Sequence, residues 1–212
     1  ASPFRTGSRP RRIAPRASAW REDAARDAIG RARVANLARV SDPHEKPRFR
    51  VRVETERVAL PNGHTAELDI VRPPGAAAVV PFVSADEVLL IRQYRHAAGG
   101  MMLEVPAGKL DPGEARAACA ARELEEEAGC RAGRIVPLGW IWTTPGFTDE
   151  RIHLFAAFEL EPVPHRRDAD EVIETLRVGL DEALELVFSG RLNDAKSSLA
   201  LLHAARWLGR IG

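Results

Sequence analysis

Four glutamates occupy the five positions 123–127 of this chain. On a helix, Glu123, Glu126 and Glu127 are spaced i, i+3 and i+4, so their carboxylates project from one face. Each like-charge pair on an exposed helix costs roughly 0.2 to 0.5 kcal/mol, and negative charge near the helix C-terminus also opposes the dipole. A divalent cation such as Mg²⁺, which binds carboxylates together with substrate phosphates, would remove this conflict. The alternative is a solvated acidic face with Arg122 as an intrahelical partner.

The segment that carries the glutamates has the composition of a helix. About fourteen residues rich in Ala, Glu, Leu and Arg lie between the turn at Pro112-Gly113 and Gly129, a residue type that commonly ends helices. The apolar stripe expected opposite the carboxylates consists of Ala117, Ala121, Leu124 and Ala128.

The composition indicates one ordinary globular domain. The chain has 212 residues, of which 45% are hydrophobic and 29% charged, and its net charge of +1 gives no reason to expect a nucleic-acid partner. Cys119 and Cys130 are too few for a disulfide framework or a structural zinc site, so we expect both to pack as small apolar residues in a reducing, cytoplasmic compartment. With no apolar run of about eighteen residues and no secretory signal, we expect a soluble protein without a membrane partner.

The N-terminal quarter divides into two predicted regions. Residues 1–48 combine a basic tail, with five arginines and no acidic residue in the first twenty positions, and a helix at 19–40. We expect the tail to be solvated and partly disordered, with a nucleic-acid arm or a transit sequence as alternatives. Residues 49–75 alternate around the turn at 61–63 and predict a β-hairpin.

Residues 76–212 mix strands and helices without a regular βαβ alternation, which favours an α+β architecture. Strands are predicted at "AAAVVPFV", "EVLLIRQYR", "RIVPLGWIWTT" and "RIHLFAAFEL", and a loop at "HAAGG" leads into "MMLEVPAG". Two amphipathic helices are predicted at "LDEALELVFSG" and "DAKSSLALLHAARWL".

The spacing around the glutamates matches a known pattern. It comprises Gly108, five residues, Glu114, seven residues, Arg122-Glu123-Leu124, one residue, Glu126-Glu127, one residue and Gly129. This resembles the Nudix box in full, with Leu124 and Cys130 at its apolar positions, and its seven other residues at fixed spacing, each with a background frequency of about 5 to 7%, make a chance match far below one in a million. The resemblance implies the Nudix fold, a mixed β-sheet sandwiched between helices, here with an N-terminal antiparallel β extension. It also implies hydrolysis of a nucleoside diphosphate linked to another group.

The resemblance assigns roles to residues of the box. Glu123 and Glu127 would be the principal ligands of Mg²⁺ or Mn²⁺, with Glu126 ligating or orienting and the backbone carbonyl of Ala107 completing the site. Arg122 would hold the glutamates through charge-assisted hydrogen bonds. In the same pattern, the glycine at position 108 permits close backbone approach and the glutamate at position 114 ties the loop to the helix.

The segments flanking the box resemble the ADP-ribose pyrophosphatase branch of the family. The branch has an arginine on the preceding strand that contacts the pyrophosphate, and Arg95 matches it; Glu104 lies where the branch also has a glutamate. Pro145, fifteen residues after Cys130, resembles the proline that marks the branch, and Glu150 follows as a further substrate-binding candidate. A plain turn at Pro145 is the alternative.

A second acidic segment, "RRDADEVIE", precedes the two C-terminal helices. The branch carries a mobile glutamate-bearing loop here that supplies the general base or another metal contact, and Glu171 is the best match. Asp168, Asp170 and Glu174 are close enough to substitute for it. An acidic surface loop balanced by neighbouring arginines is the alternative.

Taken together, the resemblance predicts a Mg²⁺-dependent enzyme that cleaves ADP-ribose to AMP and ribose 5-phosphate. It also predicts a homodimer in which the N-terminal hairpin reaches the partner's substrate pocket. Another nucleoside diphosphate sugar, such as GDP-mannose, is the alternative substrate. A non-catalytic ADP-ribose sensor is the alternative from another class, although a sensor would not need all of the glutamates.

Overall fold

The computed structural model of the chain describes residues 52–166 and 172–212. The predicted basic tail and the helix at 19–40 lie outside the described residues. So do three of the four candidates for the general base, Asp168, Asp170 and Glu171.

The predicted N-terminal hairpin is present. Strands β1 (Arg52–Ala59) and β2 (Thr65–Arg72) pair antiparallel along their whole length and form a two-stranded sheet of their own. The turn between them contains Gly63 at a φ of 85°, a backbone conformation that glycine adopts without strain. The hairpin is joined to the rest of the chain where Val71 donates its N–H to the Phe147 carbonyl over 2.8 Å.

In the described part of the chain, seven further strands form two sheets. They are β3 (Ala76–Pro81), β4 (Glu87–Arg95), β5 (Gly100–Glu104), β6 (Ala107–Lys109), β7 (Cys130–Trp142), β8 (Arg151–Pro162) and β9 (Ile173–Gly179). The four-stranded sheet has the order β6-β3-β8-β7, and its central pair, β3 and β8, is parallel. The three-stranded sheet has the order β5-β4-β9 and is antiparallel. The mixed sheet implied by the resemblance is therefore confirmed.

Strand β9 was not predicted from the sequence. The sequence predicts a loop at "RRDADEVIE" that leads into a helix, whereas the last two residues of this segment, Ile173 and Glu174, already belong to β9. The hydrogen bonds of β9 are made with β4, and the paired residues lie 80 positions apart at Gln93 and Ile173 and 92 positions apart at Glu87 and Gly179. A strand of seven residues that depends on so distant a partner has a weak local pattern.

The described residues contain three α-helices that follow the sequence prediction closely: α1 (Arg116–Ala128), α2 (Leu180–Phe188) and α3 (Ala195–Trp207). Helix α1 ends at Gly129, whose φ of 64° lets its N–H reach the last turn. Asp194 caps α3 by accepting a hydrogen bond from the N–H of Ser197. Within the described ranges, no helix is long and apolar enough to cross a membrane.

The four-stranded sheet lies between the helices. Because side chains alternate along a strand, Ala76, Ala78 and Val80 of β3 face one core, shared with α2 and α3, while Ala77 and Val79 face the other, shared with α1. This is the sandwich that the resemblance predicts.

The buried face of α1 differs from the predicted stripe. Cys119, Ala120, Leu124 and Ala128 are the buried apolar residues of this helix. Ala117 is exposed, so its assignment to the stripe was wrong. The helix is rotated so that Glu123 and Glu127 are also buried, against the segment that holds β6, whereas sequence spacing alone placed them on the outer face.

Candidate active site

The C-terminal half of α1 lies against the backbone at β6. Glu127 is 2% exposed, and its Oε2 accepts a hydrogen bond of 2.9 Å from the backbone N–H of Ala107. A buried carboxylate needs such a donor, because an unpaired buried charge is strongly destabilising. The contact places the Ala107 peptide beside one of the three predicted ligands.

The Glu123 carboxylate lies against the backbone of Gly108, the residue that follows Ala107. A Cβ atom added to Gly108 would lie 1.9 Å from Glu123 Oε1 and 2.6 Å from Oε2, distances that real atoms do not reach. Only glycine at position 108 lets the Glu123 carboxylate lie against the backbone. This is the close approach that the box pattern predicts.

Arg122 connects four oxygen-bearing groups. Its Nη1 donates to Glu123 over 2.7 Å and to Glu126 over 3.0 Å. Its Nε and Nη2 donate to the two oxygens of Glu114 over 2.9 and 3.0 Å, and Nη2 also donates to the Lys109 carbonyl. The hydrogen bond from Arg122 lowers the pKa of Glu114 to about 2 and raises the pKa of Arg122 itself.

The donor set fits a hard divalent cation. Glu123, Glu126 and Glu127 supply carboxylate oxygens next to a backbone segment that glycine keeps open, and Mg²⁺ prefers oxygen ligands. Among the described residues, no three Asp, Glu, His or Cys side chains are already arranged to hold an ion. Arg122 accounts for this, since it engages Glu123 and Glu126 at the same time. Binding a cation therefore requires those two carboxylates to turn from Arg122 towards the ion.

Cys119 belongs to the scaffold. It is buried, and its Sγ donates to the carbonyls of Lys109 over 3.4 Å and Gly108 over 3.6 Å. Burial raises its pKa to about 12, so the side chain stays a thiol and a donor. The prediction that it packs as a small buried residue is confirmed.

The side chain of Arg95, at the end of β4, reaches Glu104, at the end of the neighbouring strand β5. Arg95 donates from Nε and Nη2 to the two oxygens of Glu104 over 2.7 and 2.8 Å, which is the bidentate geometry favoured by guanidinium and carboxylate. The Arg95 side chain is 39% exposed and Glu104 only 1%. Burial would raise the pKa of Glu104, but the hydrogen bond from Arg95 and the charge of Lys196 outweigh it, so the pKa lies below its usual value.

Lys196 was not identified from the sequence. Its Nζ, at the start of α3, donates to Glu104 Oε2 and, over 2.9 Å, to Asp194 Oδ2. Glu104 and Lys196 are 92 positions apart, and no local pattern links them. The Asp194 cap predicts only that α3 begins there.

Pro145 and Glu150 lie in the turn between β7 and β8. The turn is closed by hydrogen bonds from Phe147 and Thr148 to the Thr144 carbonyl, and Pro145 is exposed. In the described part of the chain, no hydrogen bond or ion pair joins Pro145 or Glu150 to the carboxylates of α1. Their substrate-binding roles stay predictions.

One of the four base candidates can be placed. Glu174 lies on β9 with its side chain 60% exposed, and its Oε2 is 3.8 Å from Arg92 Nε. The next residue, Thr175, donates to the Glu127 carbonyl over 3.4 Å. This end of the acidic segment therefore meets the end of α1, while the role of Glu171 stays a prediction from the sequence.

Comparison with known proteins adds independent findings. A family model of the NUDIX domain matches residues 72–200. An ADP-ribose pyrophosphatase of Bacillus subtilis (strain 168) is 40% identical over 148 residues, which cover 69% of this chain and 80% of that protein. A protein of Bacillus methanolicus named methanol dehydrogenase activator is 38% identical over 153 residues, covering 71% of this chain and 83% of that protein.

A solved structure is also similar. The crystal structure of an ADP compounds hydrolase matches with a TM-score of 0.69 and 27% sequence identity, covering 80% of this chain and 91% of that chain. The range 72–200 includes Arg95, Glu104, Lys196 and the whole of α1.

Proposed function

The chain belongs to the Nudix family, and on that premise we propose that it is a divalent-metal-dependent hydrolase that cleaves ADP-ribose to AMP and ribose 5-phosphate. In this reaction a water oxygen bonds to one phosphorus of the pyrophosphate while the bridging P–O bond breaks. The single observation that supports the proposal best is the placement of the acidic cluster of α1 near Arg95. Glu104 holds Arg95 through two hydrogen bonds, and three residues later the N–H of Ala107 donates to Glu127, so the segment 104–107 connects the proposed phosphate-binding cation to a proposed metal ligand.

The acidic groups have a defined task in this proposal. Glu123, Glu126, Glu127 and the Ala107 carbonyl would hold Mg²⁺, or Mn²⁺, which supplies charge to the phosphoryl oxygens and lowers the pKa of a bound water. Arg122 donates to Glu123 and Glu126 and so keeps the two carboxylates side by side before an ion binds. Burial of Glu127, which also accepts from Ala107, restricts its rotamers and reduces the ordering needed when substrate binds.

Arg95 is proposed to bind the pyrophosphate. Glu104 holds two of its nitrogens, while the partly exposed guanidinium retains Nη1 for another acceptor. Arginine fixed in this way forms directional, charge-assisted hydrogen bonds to phosphate oxygens. Because charge on these oxygens grows in the transition state, a preoriented cation lowers the barrier.

We further propose that the protein is a homodimer formed through the hairpin of β1 and β2. A two-stranded sheet is at best marginally stable alone in water. Leu68 of this hairpin is 40% exposed and lies on the same face as Val58 and Ile70, which are half-buried. A second copy packed on this face would cover these apolar side chains.

The substrate assignment is tested with a panel of nucleotides. The purified protein is incubated with Mg²⁺ and ADP-ribose, GDP-mannose, ADP-glucose, NADH or a diadenosine polyphosphate, and phosphatase-releasable product is measured. We expect the highest kcat/KM for ADP-ribose, with AMP and ribose 5-phosphate as products. A strong preference for GDP-mannose would contradict the substrate assignment.

A regulatory role is a second candidate, because one relative carries the name methanol dehydrogenase activator. In that case ADP-ribose or a related nucleotide would bind at the same site and change the activity of a partner protein. Binding of ADP-ribose without turnover of any compound in the panel would favour this candidate over the hydrolase. The complete set of box glutamates favours the hydrolase.

A further inference from the structure

Glu104 binds two cations from different parts of the fold. Its Oε1 and Oε2 accept from Arg95 at the end of β4, and Oε2 also accepts from Lys196 in the first turn of α3. The carboxylate is 1% exposed and the Lys196 side chain 15%. A buried carboxylate of this kind stays ionised only while nearby cations balance its charge and hydrogen-bond donors occupy its lone pairs.

The same turn of α3 holds the neighbouring backbone. Asp194 Oδ2 accepts from Lys196 over 2.9 Å and from the Ser197 N–H over 3.0 Å. Ser197, which is fully buried, accepts at Oγ a hydrogen bond of 2.9 Å from the N–H of Val105. Two residues later, Ala107 donates to Glu127. The segment from Glu104 to Ala107 is thus fixed by α3 at one end and by α1 at the other.

Lys196 is already committed to protein partners. Its ammonium contacts two carboxylates, so its charge is matched within the protein, whereas Arg95 is the more exposed of the two cations. Within the described part of the chain, no residue accepts a hydrogen bond from Arg95 Nη1. Arg95 and Lys196 therefore differ in role. Arg95 faces the proposed substrate site, whereas Lys196 binds carboxylates of the surrounding structure.

We propose that Lys196 is a positioning residue that acts through Glu104 to hold Arg95 in the orientation that binds pyrophosphate. The inference rests on the function proposed above. Lys196 binds Oε2 of Glu104 and ties this carboxylate to the start of α3, so both carboxylate oxygens stay turned towards Arg95. Without Lys196, the buried carboxylate would lose one of its two cations and shift, and the bidentate pair that fixes the guanidinium would loosen.

The test compares Lys196→Met and Lys196→Arg with the wild-type protein. Arg206, an exposed cation on the same helix, provides the control variant Arg206→Met. We expect Lys196→Met to raise the KM for ADP-ribose about tenfold with kcat changed by less than about threefold, as for a partner coupled to a binding residue. Lys196→Arg should recover most of the loss, and the control should match the wild type.

Two further measurements separate positioning from a purely structural role. Calorimetry of ADP-ribose binding in EDTA should show the same roughly tenfold weakening in Lys196→Met, independently of hydrolysis. In a Glu104→Gln background, the added change Lys196→Met should alter the dissociation constant by less than about twofold, because the connection through Glu104 is already broken.

Three results would overturn the proposal: an unchanged KM and dissociation constant in Lys196→Met, a loss in kcat alone, or a tenfold effect that persists in the Glu104→Gln background. The last result would make Lys196 a direct substrate ligand. If Lys196→Met fails to fold, Lys196→Gln, which keeps a donor and loses the charge, takes its place. Failure of the proposed function would instead show in the wild-type protein, as absent turnover and absent binding of ADP-ribose.

Discussion

Replacing Gly108 with alanine would place a methyl group where the Glu123 carboxylate lies. The new Cβ would meet Oε1 at 1.9 Å and Cδ at 2.1 Å. The backbone of Gly108 is not in the left-handed region, so alanine itself introduces no strain in φ. The atoms that must yield are the far end of a glutamate side chain, which can rotate. The substitution therefore perturbs the site far more than the fold.

The size of the effect follows from the displacement. Glu123 Oε1 must retreat by at least about 1.1 Å to reach the shortest tolerable contact, and a shift of about 1 Å in a catalytic group can cost about 100-fold in rate. This corresponds to about 2.7 kcal/mol of transition-state stabilisation. We expect kcat to fall by roughly this factor. The free energy of unfolding should change by less than about 1 kcal/mol, because no buried apolar contact is lost.

The assay measures kcat and KM for ADP-ribose at saturating Mg²⁺, together with urea unfolding. Gly179→Ala is the matched control, since its added Cβ has its nearest neighbours at 3.9 Å, an ordinary contact. In a Glu123→Ala background, Gly108→Ala should cause no further loss, because the clashing group is absent. Wild-type kcat in Gly108→Ala would refute the reasoning. A further large loss in the Glu123→Ala background would show that the glycine acts on something other than Glu123.

Three further predictions concern the glutamates and the hairpin. Glu127→Gln keeps an oxygen that can accept the backbone hydrogen bond but removes the charge. We therefore expect kcat to fall at least about 100-fold while the thermal midpoint stays near that of the wild type. Near wild-type turnover would contradict the metal assignment. The hydrogen bond from Arg122 depresses the pKa of Glu114 from 4.5 to about 2, so its stabilisation is complete above pH 4.5 and is lost as the pH falls towards 2. Urea unfolding from pH 6 to pH 2 should therefore show the wild type and Glu114→Gln converging at the acid end, and a constant difference would exclude the pairing as the cause. Leu68→Lys should convert the proposed dimer to a monomer, whereas Thr65→Lys on the opposite face of the hairpin should not; light scattering measures the molar mass of each variant. A monomeric wild-type protein would contradict the dimer proposal.

The sequence was sufficient for the features that depend on neighbouring residues. The end of α1 at Gly129, the hairpin turn around Gly63 and the start of α3 close to Asp194 each depend on backbone preferences within a few positions. The box spacing likewise predicted that Glu123 and Glu127 lie together, because i and i+4 are neighbours on any helix.

Tertiary structure decided which way these elements face and what they meet. Ala117 fits the helical period as well as Ala120 does, yet only Ala120 is buried, because the docking of α1 on the sheet selects one of several apolar faces. Strand β9 depends on hydrogen bonds to β4 that no local segment could supply. The contact of Lys196 with Glu104 arises only when the start of α3 reaches the end of β5. Local sequence therefore determined the conformation of each segment and the reactive side chains that it carries. Long-range packing decided which side chains are buried and which groups the charged side chains bind, because such packing depends on the whole chain.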